Sequence, residues 1–265
     1  MNWRLWVLIG AVLAAVGVTF LFPAIPQDEA YHNFADARGF LGVPNGLNVV
    51  SNAFFLLVGI LGIRFVFSDG AQGTGAFADP LERWTYFVFF EGVALTAFGS
   101  SYYHLNPNDH TLVSDRMPMT IGFMALVAAM LAERISVGPG VWLLFPLVAL
   151  GAASVIYWDV TQSRGRGDLR PYALAQFGSL LLVLLLIALF RHRYTRAFAL
   201  GIALASYVLA KILEAADKPI FAAGHIVSGH TLKYFAAVLS AYWALRMLGL
   251  RTPRGVIAGG YEKAA

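Results

Sequence analysis

Eight runs of mostly apolar residues dominate the 265-residue sequence, and they restrict the chain to a membrane fold. A helix needs about 20 apolar residues to cross the hydrocarbon core of a bilayer. The runs lie at 3–22, 47–66, 84–103, 117–132, 141–157, 172–190, 197–213 and 230–248. They show no strand-like alternation, and in lipid only helices or closed barrels satisfy the backbone. We therefore predict an all-α, polytopic transmembrane helical bundle with about eight spans.

The composition supports this class and excludes several others. Charged residues make up only 13% of the chain, whereas soluble domains carry about 25%. The chain has no cysteine, so it can form neither a disulfide framework nor a thiolate metal site. Its net charge of +4 is spread over the ends of the runs, so we expect no nucleic-acid partner. We predict a single integral membrane domain over residues 1–265.

The loop charges predict an orientation. With eight spans both termini lie on one side, and that side carries eleven Lys and Arg residues against seven on the other, leaving out Lys233. The positive-inside rule then places both termini, with a tail at 249–265, in the cytoplasm. The first run could instead be a signal peptide. Its length and the poor cleavage site in FPAIPQ favour a retained extra helix at 1–22.

Polar residues gather beside these runs in the stretch GSSYYHLNPNDHTLVSDRMP. Ser100 and His104 are four residues apart, so they share one face of a helix, and His230 and Tyr234 repeat this spacing on the last run. The span count places both histidines and Asp115 at the same outer face. Each residue also has a structural interpretation: a serine can bond its own helix backbone, and an aspartate can cap a helix. Their coincidence predicts a joint site.

The motifs NVVSN, GSSYYH, MPM shortly after Asp115, and GHTLKY resemble those of the alkaline ceramidases. These enzymes belong to a superfamily of seven-helix membrane hydrolases that includes the adiponectin-type receptors, and the likeness is to the bacterial ceramidase-like branch. It covers roughly residues 28–248, which leaves the first run as an additional helix. The resemblance implies a bacterial inner-membrane protein that acts on a membrane lipid such as ceramide.

The resemblance also implies a zinc site. The family binds zinc through three histidines, and His104 and His230 match two of them. Ser100 and Asp115 match the serine and aspartate that assist catalysis. The third ligand falls at Tyr234, and a phenol is a poorer zinc ligand than imidazole.

Three alternatives follow from this departure. His225 could supply the third ligand if the chain is unwound before the last run. Asp115 could ligate directly, which gives two histidines and one carboxylate. Alternatively, zinc is lost together with the chemistry.

Family members from eukaryotes additionally bind calcium through an acidic N-terminal segment. The corresponding residues here are Asp28, Glu29, Asn33 and Asp36, which offer the oxygen ligands that calcium prefers. The alternative interpretation is a solvated acidic loop.

The function implied by the resemblance is a zinc-dependent hydrolase that cleaves a lipid amide. A bound zinc would lower the pKa of its water, Ser100 would stabilise the oxyanion, and Asp115 would transfer protons. A non-catalytic receptor or lipid-binding protein of the same fold is the alternative, favoured by Tyr234. A small transporter that uses Lys211, Glu214 and Asp217 is a third possibility.

Overall fold

The computed structural model describes residues 3–73 and 75–254 of the chain. Apart from two isolated β-bridges, the regular structure in this part is helical. The helices are α1 (Trp3–Leu21), α2 (Gly46–Ser51), α3 (Ala53–Val66), α4 (Asp69–Gly73), α5 (Glu82–Leu105), α6 (Asp109–Arg134), α7 (Val137–Ser163), α8 (Arg170–Ala173), α9 (Ser179–Leu189), α10 (Phe198–Ala215), α11 (Asp217–Gly224) and α12 (Gly229–Leu250). A π-helical turn at Leu174–Gly178 joins α8 to α9, and a 3-10 turn at Glu29–His32 precedes α2.

Each of the eight apolar runs lies largely in helix, and within the described residues six helical segments are long and apolar enough to cross a membrane. The six are Trp3–Leu21, Gly46–Val66, Asp109–Arg134, Val137–Ser163, Arg170–Leu189 and Phe198–Ala215. The structure thus confirms an all-helical chain with several candidate spans. The other two long helices, α5 and α12, are less apolar, and they carry most of the polar residues singled out above. Residues 255–265 of the predicted tail lie outside the described residues.

Helix α6 forms the centre of the bundle. It packs between α5 and α7, and most residues of its apolar stretch are buried. Helix α1, in contrast, is almost entirely exposed and lies against α9. Helix α12 packs against α10, and α3 packs against α5. Large apolar side chains such as Trp142 and Phe145 project outward, 83% and 76% exposed. Such broad exposure of apolar groups fits a surface that faces lipid.

The prediction that the fourth membrane span begins near residue 117 is wrong, because the helix that contains it, α6, starts eight residues earlier. Asn108 caps it: its side chain accepts from the Thr111 amide at 3.0 Å, and the Thr111 hydroxyl accepts from the Asn108 amide. This capping box satisfies the first turn. Asp115 is therefore not a cap but lies inside the helix, where its side chain is buried.

A close approach between α5 and α6 fixes the depth of these helices relative to each other. Pro118 has no N–H, so it leaves the Ser114 carbonyl without its usual helical donor. That carbonyl lies against Gly99: a Cβ at position 99 would stand 1.9 Å from the Ser114 oxygen. Only glycine permits this contact, which sets the position of the next residue on α5, Ser100.

A buried ion pair stabilises the opposite end of the bundle. The Arg251 guanidinium, directly after α12, bonds the Glu133 carboxylate on α6. The Tyr86 hydroxyl donates to the same carboxylate at 2.7 Å, and the Tyr194 ring lies 3.9 Å from the guanidinium carbon. These contacts connect α5, α6 and α12 away from the polar cluster.

Candidate functional site

The candidate site forms where the end of α5 meets the beginnings of α6 and α12. Helix α12 begins beside these helix ends because Ser228 caps it: the Ser228 side chain accepts from the Thr231 amide at 3.2 Å. The Asp217 carboxylate accepts from the backbone N–H of His230 at 2.7 Å and from that of Ala35 at 2.9 Å. These contacts hold the first turn of α12, which carries His230, against the N-terminal loop.

The Tyr234 hydroxyl lies at the centre of a buried polar cluster. It contacts Nε2 of His104 at short range and Nε2 of His230 at 3.2 Å. The Ser100 hydroxyl lies 3.1 Å away. Ser100 and His104 are fully buried, and His230 and Tyr234 are only 4% exposed. The structure therefore brings these four residues together around one phenol oxygen.

Counting protons fixes how this cluster can be bonded. A phenol donates one hydrogen bond and accepts two, so three partners use its full capacity. Only one of these partners can take the phenol proton, so at least one imidazole donates its Nε2–H to the phenol. Nδ1 of His104 is buried without a partner in the described residues, and a bare acceptor is cheaper to bury than an N–H. This assigns a donating Nε2–H to His104 and leaves the phenol proton to His230 or Ser100.

Asp115 joins the cluster from α6. Its carboxyl group and the Ser100 hydroxyl are hydrogen-bond partners, and the side chain is buried. Asp115 and Tyr234 also line a cavity of about 290 Å³ between α5, α6, α10 and α12, whereas the two imidazoles do not. Ligand pockets commonly start near this size, at about 300 Å³. Asp115 and Tyr234 thus separate the buried imidazoles from the cavity.

Most of the cavity wall is apolar, and its charged residues lie within electrostatic range of one another, in what is called here the ionic end. The apolar wall includes Phe55, Phe89, Val93, Phe123 and Phe177. The ionisable residues that line the cavity are Asp115, Arg116, Lys211, Glu214 and Lys233. A pocket with a long apolar wall and one ionic end suits an amphiphile.

The structure assigns structural contacts to the residues considered for transport. Glu214 bonds Lys211 closely, and it bonds Nζ of Lys233 at 2.6 Å. Asp217 holds the start of α12, as described above. Lys233, which has no place in the sequence-based site, thus lies at its edge.

The N-terminal loop covers the histidines. The Phe34 ring lies 4.6 Å from the His104 ring and 4.5 Å from the His230 ring, measured between centroids. The His32 ring bonds the Tyr103 hydroxyl at 2.8 Å and the Asp109 carboxylate at 2.9 Å. Sequence reasoning missed Phe34, and a lone phenylalanine in a polar loop carries no signal that could have revealed it.

The three donor atoms at the positions that the resemblance implies for zinc lie next to one another. The third donor, the Tyr234 phenol, is a weak zinc ligand. Both imidazole Nε2 atoms face the Tyr234 oxygen, so three donors adjoin one another. Imidazoles are good zinc ligands. A phenol, in contrast, is not among the His, Glu, Asp and Cys ligands of the usual three-ligand catalytic sets. Within residues 3–73 and 75–254, no three His, Asp or Glu side chains are grouped to hold a metal. The set is complete only if the phenol serves as a ligand.

His225 lies outside the cluster. It is exposed and ends α11 with φ 52°, and its ring packs on Phe221 with centroids 5.0 Å apart. Its carbonyl accepts from Arg38 at 2.8 Å. The chain before Ser228 is unwound, as the alternative ligand required, but the imidazole faces away from the buried site.

The residues considered for calcium are not gathered either. Asp28, Glu29 and Asn33 are exposed, and Asp28 caps the 3-10 turn by accepting from the Ala30 amide. Asp36 is buried, and Arg38 occupies both of its oxygens at 2.8 Å. These hydrogen bonds hold the pKa of the Asp36 carboxyl below its usual value. The carboxylate is thus engaged by a cation of the chain itself.

Neither a protein-family model nor a curated protein matches the chain. The fold and site therefore define only a class: an all-helical protein with six helices suited to a membrane and a buried polar cluster beside an apolar cavity.

Proposed function

We propose that the protein is an integral membrane hydrolase that cleaves the amide bond of a lipid such as ceramide. In this proposal eight helices cross a bacterial inner membrane, and both termini are cytoplasmic. The observation that carries it is the burial of Ser100, His104, Asp115, His230 and Tyr234 in one cluster, two of whose members line an apolar cavity. Ionisable groups are costly at membrane depth, and they are usually retained there for function.

The roles follow from the placement of each side chain. The lipid chain would occupy the apolar part of the cavity, and its amide would lie at the ionic end beside Asp115. The Ser100 hydroxyl would donate a hydrogen bond to the carbonyl oxygen as negative charge develops there. Asp115 would accept a proton from the attacking water and return it to the leaving amine. Water thereby adds across the C–N bond, giving a carboxylate and an amine.

His104, His230 and Tyr234 would hold a zinc ion in this scheme. A bound zinc supplies a water whose pKa is lowered to about 7. Of the three donors, Tyr234 lines the cavity, and the two imidazoles lie behind it. The phenol makes this set weaker than three histidines.

A second candidate function is a lipid-binding protein or receptor without catalysis. The contacts of Tyr234 favour it, because its hydroxyl bonds Nε2 of both imidazoles and the Ser100 hydroxyl, the same atoms that a metal site would use. The cavity would serve such a protein equally well.

The decisive experiment measures fatty-acid release from N-acyl sphingosine by mass spectrometry, with the full chain in lipid nanodiscs. Ser100→Ala and Asp115→Asn are compared with Ser101→Ala, the adjacent serine, which bonds only the Val49 carbonyl. The first two variants should lose about 10²–10⁴-fold in rate, the usual contribution of a positioned acid–base group. Ser101→Ala should keep the wild-type rate.

Two outcomes of this experiment would contradict the proposal. A folded wild-type protein that binds the lipid but releases no fatty acid, whatever the variant, would refute the hydrolase and support the lipid-binding protein. Equal loss in both serine variants would remove the assigned role from Ser100.

The zinc part of the proposal has its own test. Metal content per chain is measured for the wild type, His104→Ala and Tyr234→His, with Tyr242→His as the exposed control. Tyr234→His completes three imidazoles and should bind zinc more tightly than the wild type. No gain over the Tyr242→His control would contradict the assignment of position 234 as a ligand.

A further inference from the structure

Arg116 is a buried cation whose hydrogen-bonding capacity is only partly used. The residue is 5% exposed and lines the ionic end of the cavity. Its Nη2 donates to the Gln27 side chain at 2.5 Å, but its Nη1 is buried without a partner in the described residues. No ion pair joins Arg116 to a carboxylate in that part of the chain. A buried charge normally requires a partner.

Aromatic rings hold the guanidinium in place. Its central carbon lies 4.2 Å from the ring centroid of Trp158, 4.6 Å from that of Tyr172 and 5.8 Å from that of Tyr31. Cation–π contacts of this kind orient a guanidinium, but they leave its N–H groups free to donate. Nε1 of Trp158, whose ring packs on Arg116 but does not line the cavity, also lacks a partner among the described residues.

The other charges that line the cavity do not neutralise Arg116. Three cations, Arg116, Lys211 and Lys233, face two carboxylates, Asp115 and Glu214. Glu214 is bonded to both lysines, so its charge is already shared. Asp115 is hydrogen-bonded to Ser100, and its charge is shared between Lys233 and Arg116 without a direct ion pair to either. The lining therefore carries one excess positive charge, no carboxylate of the described residues pairs directly with Arg116, and its unpartnered Nη1 is a donor.

We propose that the ionic end of the cavity binds the anionic head of an amphiphile, with Arg116 contacting its phosphate or carboxylate oxygens. A planar guanidinium with a free edge matches such oxygens. The apolar wall of the same cavity would take the hydrocarbon chain. This binding site is independent of hydrolysis, and it can be measured in a protein that cleaves nothing.

The test uses amphiphiles that share a chain and differ in the head. Binding of dodecyl phosphate, dodecanoate and neutral dodecanol to the purified full chain is measured in a non-ionic detergent, and inorganic phosphate is the arm without a chain. The two anionic amphiphiles should bind more tightly than dodecanol by about ten- to a hundredfold, the range expected for hydrogen bonds to charged groups. Equal affinity for charged and neutral heads would overturn the proposal.

Variants locate the preference. Arg116→Gln should abolish the difference between anionic and neutral amphiphiles, and Arg116→Lys should keep part of it, since the charge remains without the planar fork. Arg164→Gln, an exposed arginine in a loop, is the matched control and should behave as the wild type. Equal effects of Arg116→Gln and Arg164→Gln would contradict the assignment to Arg116.

The remaining arms also decide. If Arg116→Gln does not fold, the wild-type comparison of heads and the Arg116→Lys variant still test the proposal. If inorganic phosphate binds as tightly as dodecyl phosphate, the site binds a free anion, and the proposal that its ligand is an amphiphile is overturned.

Discussion

The Tyr234→Phe substitution tests whether the polar cluster is bonded as the structure indicates. The change removes a single oxygen and leaves the ring, so packing against Phe55 is kept. That oxygen bonds His104, His230 and Ser100. Ser100 retains Asp115 as a partner. Both imidazole Nε2 atoms, in contrast, lose the only side-chain partner that the structure gives them.

The expected cost follows from these two nitrogens. Leaving one buried polar group unsatisfied costs about 1–3 kcal/mol, so two give roughly 2–6 kcal/mol of lost unfolding free energy. The lower end applies if the rings turn toward each other, because their centroids are 5.1 Å apart. Tyr242→Phe is the matched control: this tyrosine is 41% exposed, and a surface change of this kind shifts stability by about 0.5 kcal/mol or less.

The assay is reversible unfolding of chelator-treated protein in mixed micelles at increasing SDS fraction, followed by circular dichroism. Chelation ensures that the difference reflects hydrogen bonds and not a lost metal ligand. A double-mutant cycle with His104→Phe should show coupling of about 0.5–3 kcal/mol, as expected for residues in direct contact. If Tyr234→Phe is as stable as Tyr242→Phe, the phenol does not bond the imidazoles, and the proton assignment is wrong.

Three further predictions concern other parts of the fold. Glu133→Gln should destabilise the protein by about 3–5 kcal/mol in the same unfolding assay, because it leaves the buried Arg251 charge unpaired. Gly99→Ala should cost about 1–3 kcal/mol by overpacking, and it should also reduce any hydrolysis by moving α5 relative to α6. Acid should loosen the N-terminal loop: the pKa of Asp36 is held low by Arg38, so the pair stabilises at neutral pH and is lost as pH falls below about 4. Hydrogen exchange should show that step.

Each of these has a control. Gly10→Ala introduces a methyl group into open space and should leave stability unchanged. Asp36→Asn should remove the acid step in exchange, and persistence of the step in that variant would assign it to another group. A Glu133→Gln protein with wild-type stability would show that Arg251 finds other partners.

The apolar runs were sufficient to predict the helices, because burial in lipid demands long apolar segments. Prediction was weakest at the start of α6, where a polar turn precedes the apolar run. Hydropathy places that boundary near residue 117, but the capping box of Asn108 and Thr111 starts the helix at Asp109. Side-chain capping is a local hydrogen-bond effect that hydropathy does not register.

The helical spacing of four placed Ser100 beside His104 and His230 beside Tyr234, and the structure brings the two pairs together. The resemblance placed Tyr234 at the third-ligand position, but the sequence could not predict that its oxygen bonds His104, His230 and Ser100, because an oxygen shared between helices depends on their relative depth. Lys233 was set aside as one charge within a span, yet it pairs with Glu214 on another helix. Contacts between distant segments set these roles, and no local pattern encodes them.

The Tyr234 hydroxyl has no hydrogen-bonding capacity left for a ligand, and this affects both candidate functions. Tyr234 uses its one proton and both lone pairs on groups of the protein. A ligand that enters the cluster must therefore displace one of those three partners, and it can reach them from the cavity only past Asp115 and Tyr234. Replacing the phenol by imidazole would open this arrangement to a metal, whereas keeping it favours occupancy of the cavity alone. If the two proposals hold, position 234 thus determines whether chemistry at the histidines or binding beside Arg116 dominates at this site.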